Sequence, residues 1–199
     1  KLALNSTAKV ISDDFSINET QEQNKDLKKS SFFELENLET KKDFITARAE
    51  SDSNALKRKF SNDIIYKKNL PSNLSCKSLY SIAEKIRYET LGGRMLKGIE
   101  KNFKENYEQI VNLKRKDQLK SKDDVPVVEA FELYMLKKFH NIKLNSLTND
   151  MLSFWEKDFD KAISKHIEFL KENIEYQNKY STKFSEILQK MEIFQTEEN

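Results

Sequence analysis

The side chains with the greatest reach as metal ligands or nucleophiles in this 199-residue chain are two histidines, His140 and His166, and one cysteine, Cys76. A zinc site wants three or four nitrogen or sulfur ligands, and a catalytic thiol wants a base beside it. The histidines are far apart in sequence, and no histidine lies near Cys76. The ordinary reading is therefore surface or internally satisfied histidines and a small thiol near a helix start. Glycine occurs only at positions 92, 93 and 98, so neither a phosphate-binding loop nor a dinucleotide fingerprint can be written. Carboxylates such as Glu84, Glu89, Glu100 and Asp124 are plentiful, but nothing in their spacing marks two of them as an acid–base pair. No catalytic residue, no metal ligand and no cofactor is assigned to this chain.

One charged constellation stands apart. The composition holds only 5 Arg against 30 Lys, and arginine is the side chain for forked, bidentate contacts. Arg87 and Arg94 are seven residues apart and share a helix face. Glu84 lies one turn before Arg87, and Glu89 lies toward a neighbouring face. Spacing alone reads as an exposed charge ladder of small energetic weight. The sharper reading is a docking surface, for a partner or for another helix of the same domain.

The elements that must position these residues are helical. With 3 Gly and 2 Pro, the turns of a sandwich or barrel cannot be supplied. Asp52 or Ser53 is expected to cap a helix running to about Lys68, with Ala55, Leu56, Phe60, Ile64 and Ile65 on one face. Pro71 closes that segment. From Ser75 the positions Leu79, Ile82, Ile86, Thr90, Gly93, Leu96, Ile99, Phe103, Tyr107, Ile110 and Leu113 step by three or four without a break. This predicts one long helix, against the alternative of a turn at Gly92-Gly93, whose glycines cost about 1 kcal/mol each in a helix. A glycine on the stripe would let another backbone approach closely. Lys116 to Asp124 reads as a charged loop, and Pro126 suits the first turn of a helix carrying Phe131, Leu133, Leu136 and Phe139. Asn145 to Asn149 reads as a connection. Two further stripes follow, Met151 to Leu170 and Ile174 to Phe194. The fold class is all-α: an irregular bundle with one long central helix. Residues 1–42 are expected to be a flexible polar segment, holding one short extended stretch around Val10-Ile11, a linker over 18–29 and an apolar patch from Phe32 to Leu38. Residues 43–199 form the helical domain.

Charge balance narrows the function. The 35 basic and 33 acidic side chains leave +2, too little field for nucleic acid or an anionic membrane. Mean hydropathy is -0.78, and no apolar run reaches the roughly 18 residues of a membrane span. A single cysteine precludes an internal disulfide and suits a reducing compartment. With no signal peptide visible, the expected location is the cytoplasm. The sequence leaves homo-oligomerisation open.

The stretch from Glu84 to Asn102 resembles a helix of the T subunit of the aerobic, ATP-dependent cobaltochelatase, of the form E-x-x-R-x-E-x-x-G-x-R-x-x-x-G-x-x-x-N. Glu84, Arg87, Glu89, Gly92, Arg94, Gly98 and Asn102 supply those positions. Asp52-Ser53-Asn54-Ala55-Leu56-Lys57-Arg58 resembles the family's D-S-x-A-L-[KR]-R segment, and Asp124-Val125-Pro126-Val127-Val128-Glu129-Ala130 its D-A-P-L-x-E-A segment. Trp155 stands where the family has a Trp-containing helix. Departures include Met95, where a second basic residue is usual, and Asn62, where a histidine is common. The resemblance runs over about residues 43–195 and matches the N-terminal helical region. The family's acidic linker and von Willebrand A-like domain, with its metal-binding Asp-x-Ser-x-Ser, are not in this sequence, and Glu197-Glu198 resembles the start of such a linker.

The resemblance implies a non-catalytic assembly part of a three-component ligase that forms nitrogen–metal bonds. Its partners would be an AAA+ ATPase subunit and a large corrinoid-binding subunit. ATP, magnesium and cobalt would serve the complex, and the reaction would be cobalt insertion into hydrogenobyrinic acid a,c-diamide on the way to cobalamin. The seven motif residues would be partner-interface or family-defining positions. A helical scaffold or adaptor unrelated to cobalamin fits the stripes equally well. A weak nucleic-acid-binding domain would show affinity falling steeply with salt.

Overall fold

The structure is a computed structural model that describes residues 2–14, 40–113 and 121–191. All regular structure among them is helical. The expected linker over 18–29, the patch from Phe32 to Leu38, the start of the charged loop before Ser121, Phe194 and the acidic end lie outside the described residues.

Helix α1 (Leu2–Ser12) occupies the place of the expected extended stretch. Leu4, Ala8 and Ile11 are buried while Val10 is exposed, and the spacing of four and three is helical. The adjacent pair Val10-Ile11 suggests a strand, but only one of the two faces inward. This helix packs on α2 (Lys41–Phe60). Helix α2 starts at a reciprocal capping box. The Thr40 hydroxyl accepts from the Asp43 amide at 3.2 Å, and the Asp43 carboxylate accepts from the Thr40 amide at 2.9 Å. Asp52 and Ser53 are therefore not caps. They sit in the middle of α2 with their side chains buried. The helix stops at Ser61, which is extended, and Asn62 caps the short α3 (Asp63–Lys68) by accepting from the Ile64 and Ile65 amides.

The expected long helix is two helices, α4 (Leu74–Met95) and α5 (Lys97–Leu113). The break falls at Leu96, with φ -140° and ψ 113°, and not at Gly92-Gly93, which stay helical. The chain doubles back there. A β-carbon on Gly93 would lie 3.3 Å from the Glu100 β-carbon across the corner. Further along, the Tyr107 hydroxyl reaches Glu89 at 2.5 Å. The apolar stripe keeps its phase through the corner because both helices turn it toward the same interior. An unbroken stripe therefore cannot distinguish a straight rod from a folded hairpin.

A 3-10 turn over Lys122–Asp124 precedes α6 (Val127–Phe139), with Pro126 at its N-cap, one residue outside the helix. The expected connection at 145–149 begins α7 (Ser146–Ser153), with the Asn145 side chain accepting from the Thr148 amide at 2.9 Å. The stripe from Met151 to Leu170 is divided among α7, α8 (Glu156–Ile163) and α9 (Ile167–Glu172). Helix α10 (Gln177–Gln189) closes the bundle.

Helix α4 is the axis, with α2, α5, α6 and α10 packed around it. Phe131 meets Phe159 edge-on at 5.5 Å and Phe184 at 6.3 Å, a geometry that adds about 0.5–1.5 kcal/mol per pair beyond area burial. Trp155 ties the 122–130 segment to the body. Its indole N–H donates to the Val125 carbonyl at 3.0 Å, and the Lys122 ammonium lies 4.1 Å from its ring. No helix among the described residues is long and apolar enough to cross a membrane.

Candidate functional site

A helix surrounded on all sides must bury whatever polar residues its sequence carries, and buried charge is tolerated only when it is paired and hydrogen-bonded. Helix α4 carries three such residues. Glu84, Arg87 and Glu89 are all essentially inaccessible, so they form no exposed charge ladder.

Arg87 is fully enclosed. Its Nε donates to Glu84 Oε2 at 3.3 Å, and Nη1 donates to the Ile174 carbonyl at 3.4 Å. Nη2 donates to the Phe60 carbonyl at 2.6 Å and the Ser61 hydroxyl at 3.2 Å. One guanidinium fork thus holds the end of α2, the segment before α10 and its own helix, a pattern only arginine can make. Glu84 is met from α10: the Ser181 hydroxyl donates at 2.6 Å and the Gln177 amide at 3.2 Å. Gln177 also accepts from the Asn62 amide at 2.7 Å.

Glu89 serves the opposite side. The Ser53 hydroxyl of α2 donates to it at 2.6 Å, and the Tyr107 hydroxyl of α5 at 2.5 Å. Burial pushes the Glu89 carboxyl above the ordinary glutamate value, against the opposing pull of Lys85 and the two hydroxyls. Burial also raises the Tyr107 phenol well above its usual range, with the Glu89 charge adding to it. Asp52, likewise buried, accepts from both sides: Arg48 Nε at 3.1 Å and the Asn102 amide at 2.7 Å. Gly92 lets α2 sit directly against α4. A β-carbon there would lie 2.3 Å from Leu56 Cδ1.

Three separate sequence segments thus interlock. Asp52, Ser53 and Leu56 of α2 engage Asn102, Glu89 and Gly92 in turn. The remaining motif positions behave differently. Arg94 and Gly98 are exposed, and nothing lies within 4 Å of a β-carbon built on Gly98. Arg94 repeats the Arg87 face, but the cover over Arg87 comes from residues 60–61 and 174 and does not reach the last turn of α4. Met95 and Leu96, at the α4–α5 corner, are 40% and 48% exposed. Spacing places Tyr107 on the inward stripe without showing that its hydroxyl meets Glu89, and it does not single out Gln177 or Ser181, because a neutral partner on another helix leaves no periodic trace.

The raised Glu89 has a testable sign. A carboxyl with a raised folded pKa stabilises the fold fully below its unfolded value of about 4.3, and that contribution is lost as pH rises through the folded value. Glu89→Gln cannot ionise and keeps a hydrogen-bonding side chain. Its melting temperature is expected to gain on the parent as pH is raised from about 4.3 toward neutrality. Parallel curves for the two proteins would show that burial does not raise the Glu89 carboxyl.

Comparison with known proteins gives one match. The sequence profile of the family described as "Cobalamin biosynthesis protein CobT" covers residues 1–199, so the match extends through the N-terminal 42 residues, which the motifs alone leave outside. No curated protein and no solved structure matches.

Proposed function

The chain belongs to the CobT family of cobalamin biosynthesis proteins, and from that premise we propose that it is a non-catalytic assembly and coupling part of an ATP-dependent cobaltochelatase. Its partners in this reading are an AAA+ ATPase subunit and a large corrinoid-binding subunit. ATP and magnesium act on the first, and cobalt and hydrogenobyrinic acid a,c-diamide on the second. The working compartment is the cytoplasm.

The observation that carries this reading is the division of labour within the motif. Glu84, Arg87, Glu89 and Gly92 hold α2, α5 and α10 to α4, and Asn102 holds α5 to α2. What the motif leaves to solvent is a corner, Arg94 to Gly98, with two apolar side chains at its tip. A rigidly braced, partly apolar projection is the kind of feature a partner seats against, since interface cores are apolar and interface rims polar.

The test reconstitutes the protein with the AAA+ and corrinoid-binding proteins of the same genome, and reads complex formation and ATP-dependent cobalt insertion. Met95→Asp with Leu96→Asp is expected to reduce both by at least about tenfold, the effect of losing roughly 1.4 kcal/mol at an interface, with helicity and melting unchanged. Full assembly by that variant would remove the corner from the interface. A parent protein that neither joins nor stimulates such partners would sink the coupling role itself.

A further inference from the structure

The α4–α5 corner has a second consequence, on its inner side. Between the last turn of α4, the first turns of α5 and the bend after α6 lies a cleft of about 320 Å³, within the range of about 300–1,000 Å³ typical of small-molecule sites. Arg94, Lys104 and Lys171 line it, each from a different helix and each exposed. Among the described residues none of the three has a carboxylate within 4.0 Å. Among the described residues of the lining, Glu100 is the one exposed carboxylate. Glu89 reaches the inner wall, but its oxygens are occupied by the Ser53 and Tyr107 hydroxyls.

His140, at the end of α6, supplies a further wall. Its ring packs against Tyr107 with centroids 5.7 Å apart. Its Nε2 is buried and has no hydrogen-bond partner among the described residues. A buried polar atom left unpaired is costly and uncommon, and calls for an explanation such as a ligand. Burial, assisted by the Lys85 charge, pushes the imidazole down to about 4, so at neutral pH the ring is uncharged and can present one N–H donor. Phe139 and Ile142 give the cleft an apolar side.

We propose that this cleft binds a compact anionic ligand bearing carboxylate or phosphate groups, gripped by Arg94, Lys104 and Lys171 and hydrogen-bonded by His140. Three exposed cations from three helices line one cleft, with a buried imidazole nitrogen in its wall, and this is the chemistry such a ligand needs. The site does not depend on the coupling role, and it is measured on the protein alone.

The experiment titrates the intact protein separately with citrate and with inorganic phosphate. It follows heat by calorimetry and the His140 ring by NMR. One of the two is expected to bind saturably with a single site and to move the His140 resonances, and the tighter of them identifies the ligand as carboxylate or phosphate in class. Lys104→Ala and Lys171→Ala are each expected to weaken binding by about tenfold. Both residues are exposed, so melting should be unchanged. Lys165→Ala, in a separate cleft between α8 and α10, should bind as the parent does. Absence of saturable binding by both anions, or equal weakening by the Lys165 variant, would overturn the site. Loss of partner assembly on its own would leave it standing.

Discussion

Arg87→Ala should destabilise the protein by about 3–5 kcal/mol, the cost of breaking a buried ion pair by removing one member. The truncation strands Glu84 without its counter-charge and takes away the donor to two backbone carbonyls, those of Phe60 and Ile174. Each buried acceptor left bare adds a penalty of its own. For a chain of this size about 1 kcal/mol moves the melting point by roughly 2–4 °C, so the fall should be of the order of 6–20 °C. Arg87→Lys should recover little, because an ammonium cannot span acceptors that lie in three directions. Denaturant unfolding would check this, through a lowered midpoint with an unchanged slope. A variant that melts within about 2 °C of the parent would mean that the guanidinium is replaceable by water, and that the bracing role is wrong. The same result bears on a docking role for Arg87. The side chain reaches no surface, so any effect of its removal on partner binding should follow from loss of the fold.

The second large effect concerns Gly92. A β-carbon there would sit 2.3, 2.5 and 2.9 Å from three carbons of Leu56, and Leu56 is itself fully buried. Overpacking of this kind costs about 1–3 kcal/mol, opposed by the roughly 1 kcal/mol that alanine gains over glycine in a helix. Gly92→Ala should therefore be destabilising despite its better propensity. Leu56→Ala should cost about 2–5 kcal/mol through its cavity. The informative protein is the double variant: the new methyl partly fills the space the leucine vacates, so it should lose at least about 0.5 kcal/mol less than the two single losses combined. Strict additivity would show that the two positions do not touch. Gly93→Ala is the comparison, since its nearest neighbour, at 3.3 Å, is the side chain of exposed Glu100.

Sequence periodicity finds the inward positions well. Leu79, Ile86, Ile99, Phe103, Phe131, Phe159 and Phe184 are all buried, as the three-and-four spacing requires. It fails where the outcome depends on what covers a face. Glu84 and Arg87 look like an ordinary i, i+3 surface pair until α10 arrives from the far end of the chain. Asp52 and Ser53 have the composition of a helix start, yet Thr40 and Asp43 have already begun the helix. The turn at Leu96 is hidden in the sequence, because the residue at the break is an ordinary leucine and the stripe continues in phase on both sides. The motif resemblance singles out seven residues, and the structure gives most of them a mechanical role. Five of the seven hold helices together, while Arg94 and Gly98 face solvent.

The braces on Glu84 come from residues 97 and 93 positions later, Ser181 and Gln177. A nascent chain leaves the ribosome from its N-terminus, so α2, α4 and α5 are available while those partners are still being made. Throughout that interval Glu84 and Arg87 have each other but lack the cover that justifies their burial. The early helices therefore have reason to stay loosely associated and hydrated until α10 emerges and locks the axis. A timing rule is thus written into the chain: a helix made about 90 residues later licenses the earlier ones to close. Chains that terminate before residue 177 would expose an unfinished charged seam, which quality-control proteases can recognise.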